Sequence, residues 1–137
     1  MATLDDVARI ALDLPETVET VETGQRTGRA WSVRGKTFAW ERAFSKADVK
    51  RFGGEPVPAP PILAVRVDDL AEKEVVLAAG HKGVFTIPHF DGYAAVLIQL
   101  RAVGKRVLRE AIVDGWAACA PLVLVREHRD RSSRSRS

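Results

Sequence analysis

Three histidines, one cysteine and two pairs of adjacent aspartates are the residues of this chain best suited to acid–base, metal or nucleophilic chemistry, and their spacing assembles no such site. His81, His89 and His128 are scattered. His89-Phe90-Asp91, with Tyr93 two residues on, is the single place where a histidine, a carboxylate and a phenol fall together, but neither a nucleophile nor a second ligand at helical spacing accompanies them. A turn histidine bonding locally beside Asp91-Gly92 accounts for the same residues. Asp5-Asp6 and Asp68-Asp69 stand at predicted helix starts, where carboxylates cap free N–H groups and complement the helix dipole. Cys119 lies near the end of an amphipathic stretch with no cation beside it in sequence and reads as a small buried hydrophobe. Gly53-Gly54 leads into prolines and opens no helix, so a phosphate-cradling loop is absent from the pattern. The chain reads as non-catalytic and calls for neither cofactor nor metal.

Charge is the stronger signal. The net +3 is unevenly spread: residues 1–25 carry six acids against Arg9, whereas residues 26–51 carry eight cations against Glu41 and Asp48. Those eight are Arg26, Arg29, Arg34, Lys36, Arg42, Lys46, Lys50 and Arg51. Residues 126–137 add five arginines against Glu127 and Asp130. Such asymmetry fits a polyanionic partner, and equally a solvated, soluble surface. Trp31 and Trp40 lie among the cations, and aromatics interleaved with basic residues can stack bases while the cations track phosphates. The competing reading places both tryptophans in the core. Lys105, Arg106 and Arg109 at the start of a predicted helix oppose its dipole, which a bound anion would relieve and long solvated side chains would tolerate.

The elements that would hold these residues follow from periodicity and punctuation. A helix over Leu4 to Leu14 is predicted with Thr3 as N-cap, Asp6 as its capping-box partner and Pro15 as its stop. A solvent-edged strand from Glu16 to Thr23 precedes a hairpin, Arg29 to Arg34 and Thr37 to Arg42, whose Gly35-Lys36 loop suits a type II′ turn. In that register Trp31, Val33, Phe38 and Trp40 share one face, and Ser32, Arg34, Thr37, Ala39 and Glu41 the other. Ser45 caps a short helix with Asp48 at its third position and Phe44 placed to staple against Val49. After a proline-rich loop over residues 55–61 come a strand (Ile62 to Val67), a helix capped by Asp68 or Asp69, strands at Val84 to Ile87 and Tyr93 to Leu100, and a helix from Lys105 to Cys119. Pro121 opens a last short helix, Leu122 to Arg126 or slightly beyond, although Leu122 to Val125 also fits a strand.

The simplest packing is a two-layer α+β domain: a mixed or antiparallel sheet of five to six strands with helices on one face. With 137 residues, 46% hydrophobic and 28% charged, one domain over residues 1–128 is expected, with 129–137 a disordered Arg/Ser tail. A single cysteine excludes an intramolecular disulfide and suits a reducing compartment. With no bilayer-length apolar run and acids at the N-terminus, a cytoplasmic location and no membrane association are expected.

Leu12 to Glu16 (LDLPE), Gly35 to Ala39 (GKTFA), Pro88 to Leu97 (PHFDGYAAVL) and Leu108 to Pro121 (LREAIVDGWAACAP) resemble, in order and rough spacing, recurring segments of MmcQ/YjbR-like proteins across most of residues 3–126. The resemblance implies an α+β fold similar to the CyaY-like and secretion-chaperone-like folds, a double-wing motif and DNA binding, and it brings no catalytic residues. The chain departs from the commoner pattern at residues 24–28, where many relatives carry a tryptophan-glycine pair, and in its Arg/Ser tail. The expected function is sequence-independent phosphate contact by the basic hairpin wing, Arg26, Arg29, Arg34, Lys36 and Arg42, with Lys46, Lys50 and Arg51, in a monomer or homodimer. The rival expectation is a protein-interaction or chaperone-like module using the sheet face or edge.

Overall fold

Local sequence sets the helix starts. In the computed structural model, which describes residues 2–22 and 28–135, Thr3 caps α1 (Leu4–Leu12) and Ser45 caps α2 (Lys46–Arg51), each through a reciprocal capping box with the aspartate three residues on. Asp69 accepts from the Glu72 backbone N–H at 2.8 Å and starts α3 (Leu70–Ala78). The remaining helices are α4 (Lys105–Cys119) and α5 (Leu122–Ser135), with a 3-10 turn at Pro88–Phe90. Among the described residues no helix is long and apolar enough to cross a membrane.

The strands are β1 (Thr17–Glu22), β2 (Gly28–Val33), β3 (Lys36–Glu41), β4 (Ile62–Arg66), β5 (Val84–Phe85) and β6 (Ala95–Gln99). They form one sheet in the order β1-β2-β3-β4-β6-β5, every pair antiparallel. One face packs against α1 and α4 around Val7, Ala11, Trp31, Phe38, Leu63, Val65, Ile98, Ile112 and Trp116, the principal core of an α+β fold. Both buried indoles are satisfied: Trp31 Nε1 donates to Glu19 and Trp116 Nε1 to the Pro15 carbonyl. A second, smaller cluster covers the other face of β4 and β6, where Ile62, Ala64, Phe90 and Leu97 meet Trp40, Phe44, Phe52 and Phe85.

Two details of the hairpin correct the sequence reading. The loop residues are Arg34-Gly35, both at positive φ (50° and 81°), so the turn is of the type I′ family and begins one residue earlier than the expected Gly35-Lys36. A bulge then places Phe38 as an extra residue, so that Ser32 pairs with Thr37 but Trp31 with Ala39. This reverses the parity of β3: Phe38 and Ala39 both enter the principal core, and Trp40, paired with Ala30 and Ala64, goes to the opposite face. Phe44 meets Phe52 edge-on at 5.5 Å and also Phe85, while Val49, its expected staple partner, is exposed.

The segment after Pro121 is helical, not a strand, and runs as α5 to Ser135. Leu124 and Val125 bury against the principal core and His128 packs edge-on against Trp116, which anchors the first turns. Arginine is then a good enough helix former to extend them.

Candidate nucleic-acid interface

Of the eight cations singled out in the sequence, Arg26 lies outside the described residues, and the other seven divide into paired and unpaired groups. Arg29 of β2 reaches Asp5 of α1 and Glu19 of the neighbouring β1, both at 3.0 Å, and its guanidinium lies 5.6 Å from the Trp31 ring. These carboxylates raise its pKa, the Asp5 hydrogen bond most, against a lowering by burial. Arg34, at the hairpin tip, is held in a two-pronged grip by Glu16, at 2.6 and 2.9 Å. The hydrogen bond from Arg34 in turn holds the Glu16 carboxyl below its ordinary range. Arg42 donates to Asp48 at 2.9 Å and to the Ala43 carbonyl. Arg51 stands 3.9 Å from the same aspartate.

Asp48 is the hub of this corner. Burial alone would push its carboxyl up, but hydrogen bonds from Ser45 and the Arg42 charge outweigh that and hold it below the usual carboxylate range. The acids of residues 1–25 and Asp48 therefore absorb much of the positive charge that the sequence concentrates in residues 26–51. Lys36, Lys46 and Lys50 remain exposed, with no carboxylate partner among the described residues. Lys46 and Lys50 are one turn apart on α2.

The cations at the start of α4 are also compensated from within. Lys105 and Arg109 line a cavity of about 330 Å³ with Asp6, Arg9 and Asp13 of the α1 region, and the Lys105 charge helps to lower the Asp6 pKa, behind the larger effect of the Thr3 backbone N–H. Carboxylates of the neighbouring helix thus supply relief that the sequence reading assigned to an anion or solvent. A second cavity, about 410 Å³, lies between α3, α4 and α5 and carries Asp68, Glu72, Asp114 and Arg129 over an apolar floor. Burial raises the Asp114 pKa, with Glu72 and Glu110 adding to it. His89 is exposed on the 3-10 turn.

Sequence reasoning missed three residues. Arg66 ends an otherwise apolar strand and shares a face with Ile62 and Ala64, a parity visible in the sequence. Its guanidinium lies 5.4 Å from the Tyr93 ring, and its buried Nε has no hydrogen-bond partner. Tyr93, close to His89 in sequence, has its ring stacked 6.2 Å from Trp40 at an interplanar angle of 27°. Lys73 is buried, and its Nζ donates to the carbonyls of Phe90 and Tyr93 at 2.6 and 2.8 Å, fixing the segment that carries both rings. No local pattern announces a lysine that acts on backbone so far along the chain.

Among known proteins, the chain is 44% identical over 128 residues to the uncharacterized protein Rv2570 of Mycobacterium tuberculosis and to Mb2600 of Mycobacterium bovis, covering 91% of this chain and 94% of each relative. The chain belongs to the family of these mycobacterial proteins. No family model matches it, and no solved structure does. The shared length spans nearly the whole chain of both proteins.

Proposed function

We propose that the protein is a non-catalytic nucleic-acid-binding protein that contacts phosphates chiefly through α2 and the adjoining hairpin. The observation that carries this reading is the pair of exposed, unpaired lysines Lys46 and Lys50 one turn apart on α2, with Lys36 exposed separately at the hairpin tip, left over after internal carboxylates have engaged Arg29, Arg34 and Arg42. The resemblance to MmcQ/YjbR-like proteins supports the same reading. Lysines bind phosphate as point charges and read no bases, so binding is sequence-independent and weakens steeply with salt. The test is fluorescence anisotropy with labelled DNA across a salt series. The expected result is a linear log–log decline that flattens in the Lys46→Glu/Lys50→Glu variant; affinity at low salt no better than that of an acidic protein of similar size would sink the reading.

A second reading rests on β1. It is an edge strand with Val18 and Val21 57% and 67% exposed, and no other strand of the described residues pairs with its outer side, where a strand of another chain could add. Light scattering that returns a monomer for both the native chain and Val21→Lys would count against self-association through this edge.

A further inference from the structure

The Phe38 bulge gives the sheet a face that the sequence does not advertise. Trp40 stands half-buried on the side away from α1 and α4, beside the small residues Ala30, Ser32 and Ala64 and the exposed Thr37. Farther out on the same side, Val18 and Thr20 of β1 are exposed, so among the described residues this half of the face is open. Tyr93, 40% exposed, lies nearly parallel to Trp40, and Phe90 backs both rings at 6.4 and 5.5 Å. Two guanidinium groups border the cluster: Arg42 lies 5.8 Å from the Phe90 ring, and Arg66 lies beside Tyr93. Arg42 is oriented by Asp48, while Arg66 has no carboxylate partner among the described residues and its buried Nε is unbonded. The acid closest to this segment in sequence, Asp91, acts on the buried Lys73.

We propose that this open face binds an unpaired stretch of nucleic acid, with a base stacked on the Trp40–Tyr93 platform and phosphates at Arg66 and the α2 lysines Lys46 and Lys50. The proposal rests on the nucleic-acid reading above and deepens it by naming the strand state. Three physical points favour a single strand. An aromatic face is sequence-tolerant because every base offers a π surface. In a duplex those surfaces are stacked inside and cannot reach a flat sheet. Small neighbours around a large ring leave room for a planar group, and cations on both flanks match a backbone that continues past the stacked base.

Trp31 and Trp116 are fully buried, so a change in tryptophan emission on binding reports on Trp40. The full chain is titrated at low salt with labelled oligothymidylate, oligouridylate and a duplex of equal length. Tighter binding of either single strand than of duplex is expected, with quenched tryptophan emission, and preference between the two identifies DNA or RNA as the source. Trp40→Leu is expected to weaken single-strand binding about ten-fold or more and to leave duplex binding intact. Should Trp40→Leu fold poorly, Tyr93→Ala, at an exposed position, and Arg66→Gln test the same surface, and each is expected to lower single-strand affinity selectively. Equal affinity for single strand and duplex, without quenching and without effect of these variants, overturns the platform while leaving phosphate binding by α2 standing. Failure to bind any of the three probes overturns both.

Discussion

Arg34 and Glu16, eighteen positions apart, lock the tip of the β2–β3 hairpin to the entrance of β1, with Nε donating to Oε1 at 2.6 Å and Nη2 to Oε2 at 2.9 Å. Both residues adopt positive φ, 50° and 54°, so two backbone positions that ordinary side chains avoid are joined by the one fork-to-fork contact of the turn. Arg34, one of the wing cations expected to meet phosphate, is therefore engaged from within the chain.

Releasing it should expose a cation. Glu16→Gln is expected to strengthen DNA binding at low salt and to steepen the log–log salt slope by about 1, the contribution of one further phosphate contact. The check is anisotropy at four or more salt concentrations. An unchanged slope would mean that Arg34 does not face the nucleic acid.

Asp48 couples stability to the same surface. It caps α2 through the Ser45 backbone N–H at 3.0 Å and neutralises Arg42, while only 2% of its side chain is exposed. Asp48→Ala should cost about 1–3 kcal/mol in urea unfolding, because the Ser45 N–H loses its acceptor and Arg42 its counter-charge. The sign of the pH dependence follows from its lowered pKa. The stabilisation is present above the unfolded aspartate value of about 3.9 and is lost as pH falls through the lower folded value. Part of the acid unfolding limb should thus vanish in the variant.

The contrast between these two aspects shows what a sequence can carry. Capping boxes at Thr3 and Ser45 were legible because donor and acceptor lie three residues apart. The two-layer α+β arrangement was legible because apolar periodicity changes from 3.6 to 2 along the chain. The pairing of Arg29 with Asp5 and of Arg34 with Glu16 was not, since it depends on β1 lying beside β2. Nor was the side of the sheet on which Trp40 stands: one inserted residue at Phe38 reverses it, and regular alternation has no means of signalling a bulge.

Lys73 offers a test at the alkaline end. Burial lowers its pKa, with Asp91 and Glu74 partly opposing that shift. Between the lowered folded value and the unfolded value of about 10.4, the unfolded chain binds more protons than the native one, so stability contributed at this site rises with pH. The carbonyls it bonds keep backbone partners of their own, Tyr93 N–H on Phe90 and Ala95 N–H on Tyr93. Lys73→Met is therefore expected to fold, to flatten this part of the pH–stability curve relative to the native chain, and to loosen the Phe90–Tyr93 segment. Urea unfolding at pH 8 and pH 10, compared between the two proteins, measures the first effect, and hydrogen exchange at residues 90–93 measures the second.

Gly115 lets α4 approach the sheet closely. A Cβ there would lie 2.7 Å from Val65 Cγ1, 3.0 Å from the Arg66 carbonyl oxygen and 3.3 Å from that of Phe38. Alanine is the better helix former by about 1 kcal/mol, so on propensity alone Gly115→Ala would stabilise. The contacts decide otherwise, because two of the three neighbours are backbone atoms of β3 and β4 and cannot turn aside as a flexible side chain can. The helix must lift or the strands must shift, and overpacking of this kind costs about 1–3 kcal/mol. Gly115→Ala should therefore lower the thermal midpoint. It should also disturb the open face, because Phe38, the bulged residue that sends Trp40 to that face, is one of the groups displaced. A shift in the Trp40 emission of the folded variant, alongside the lower midpoint, is the combined signature; an unchanged or raised midpoint would show that α4 has slack against the sheet.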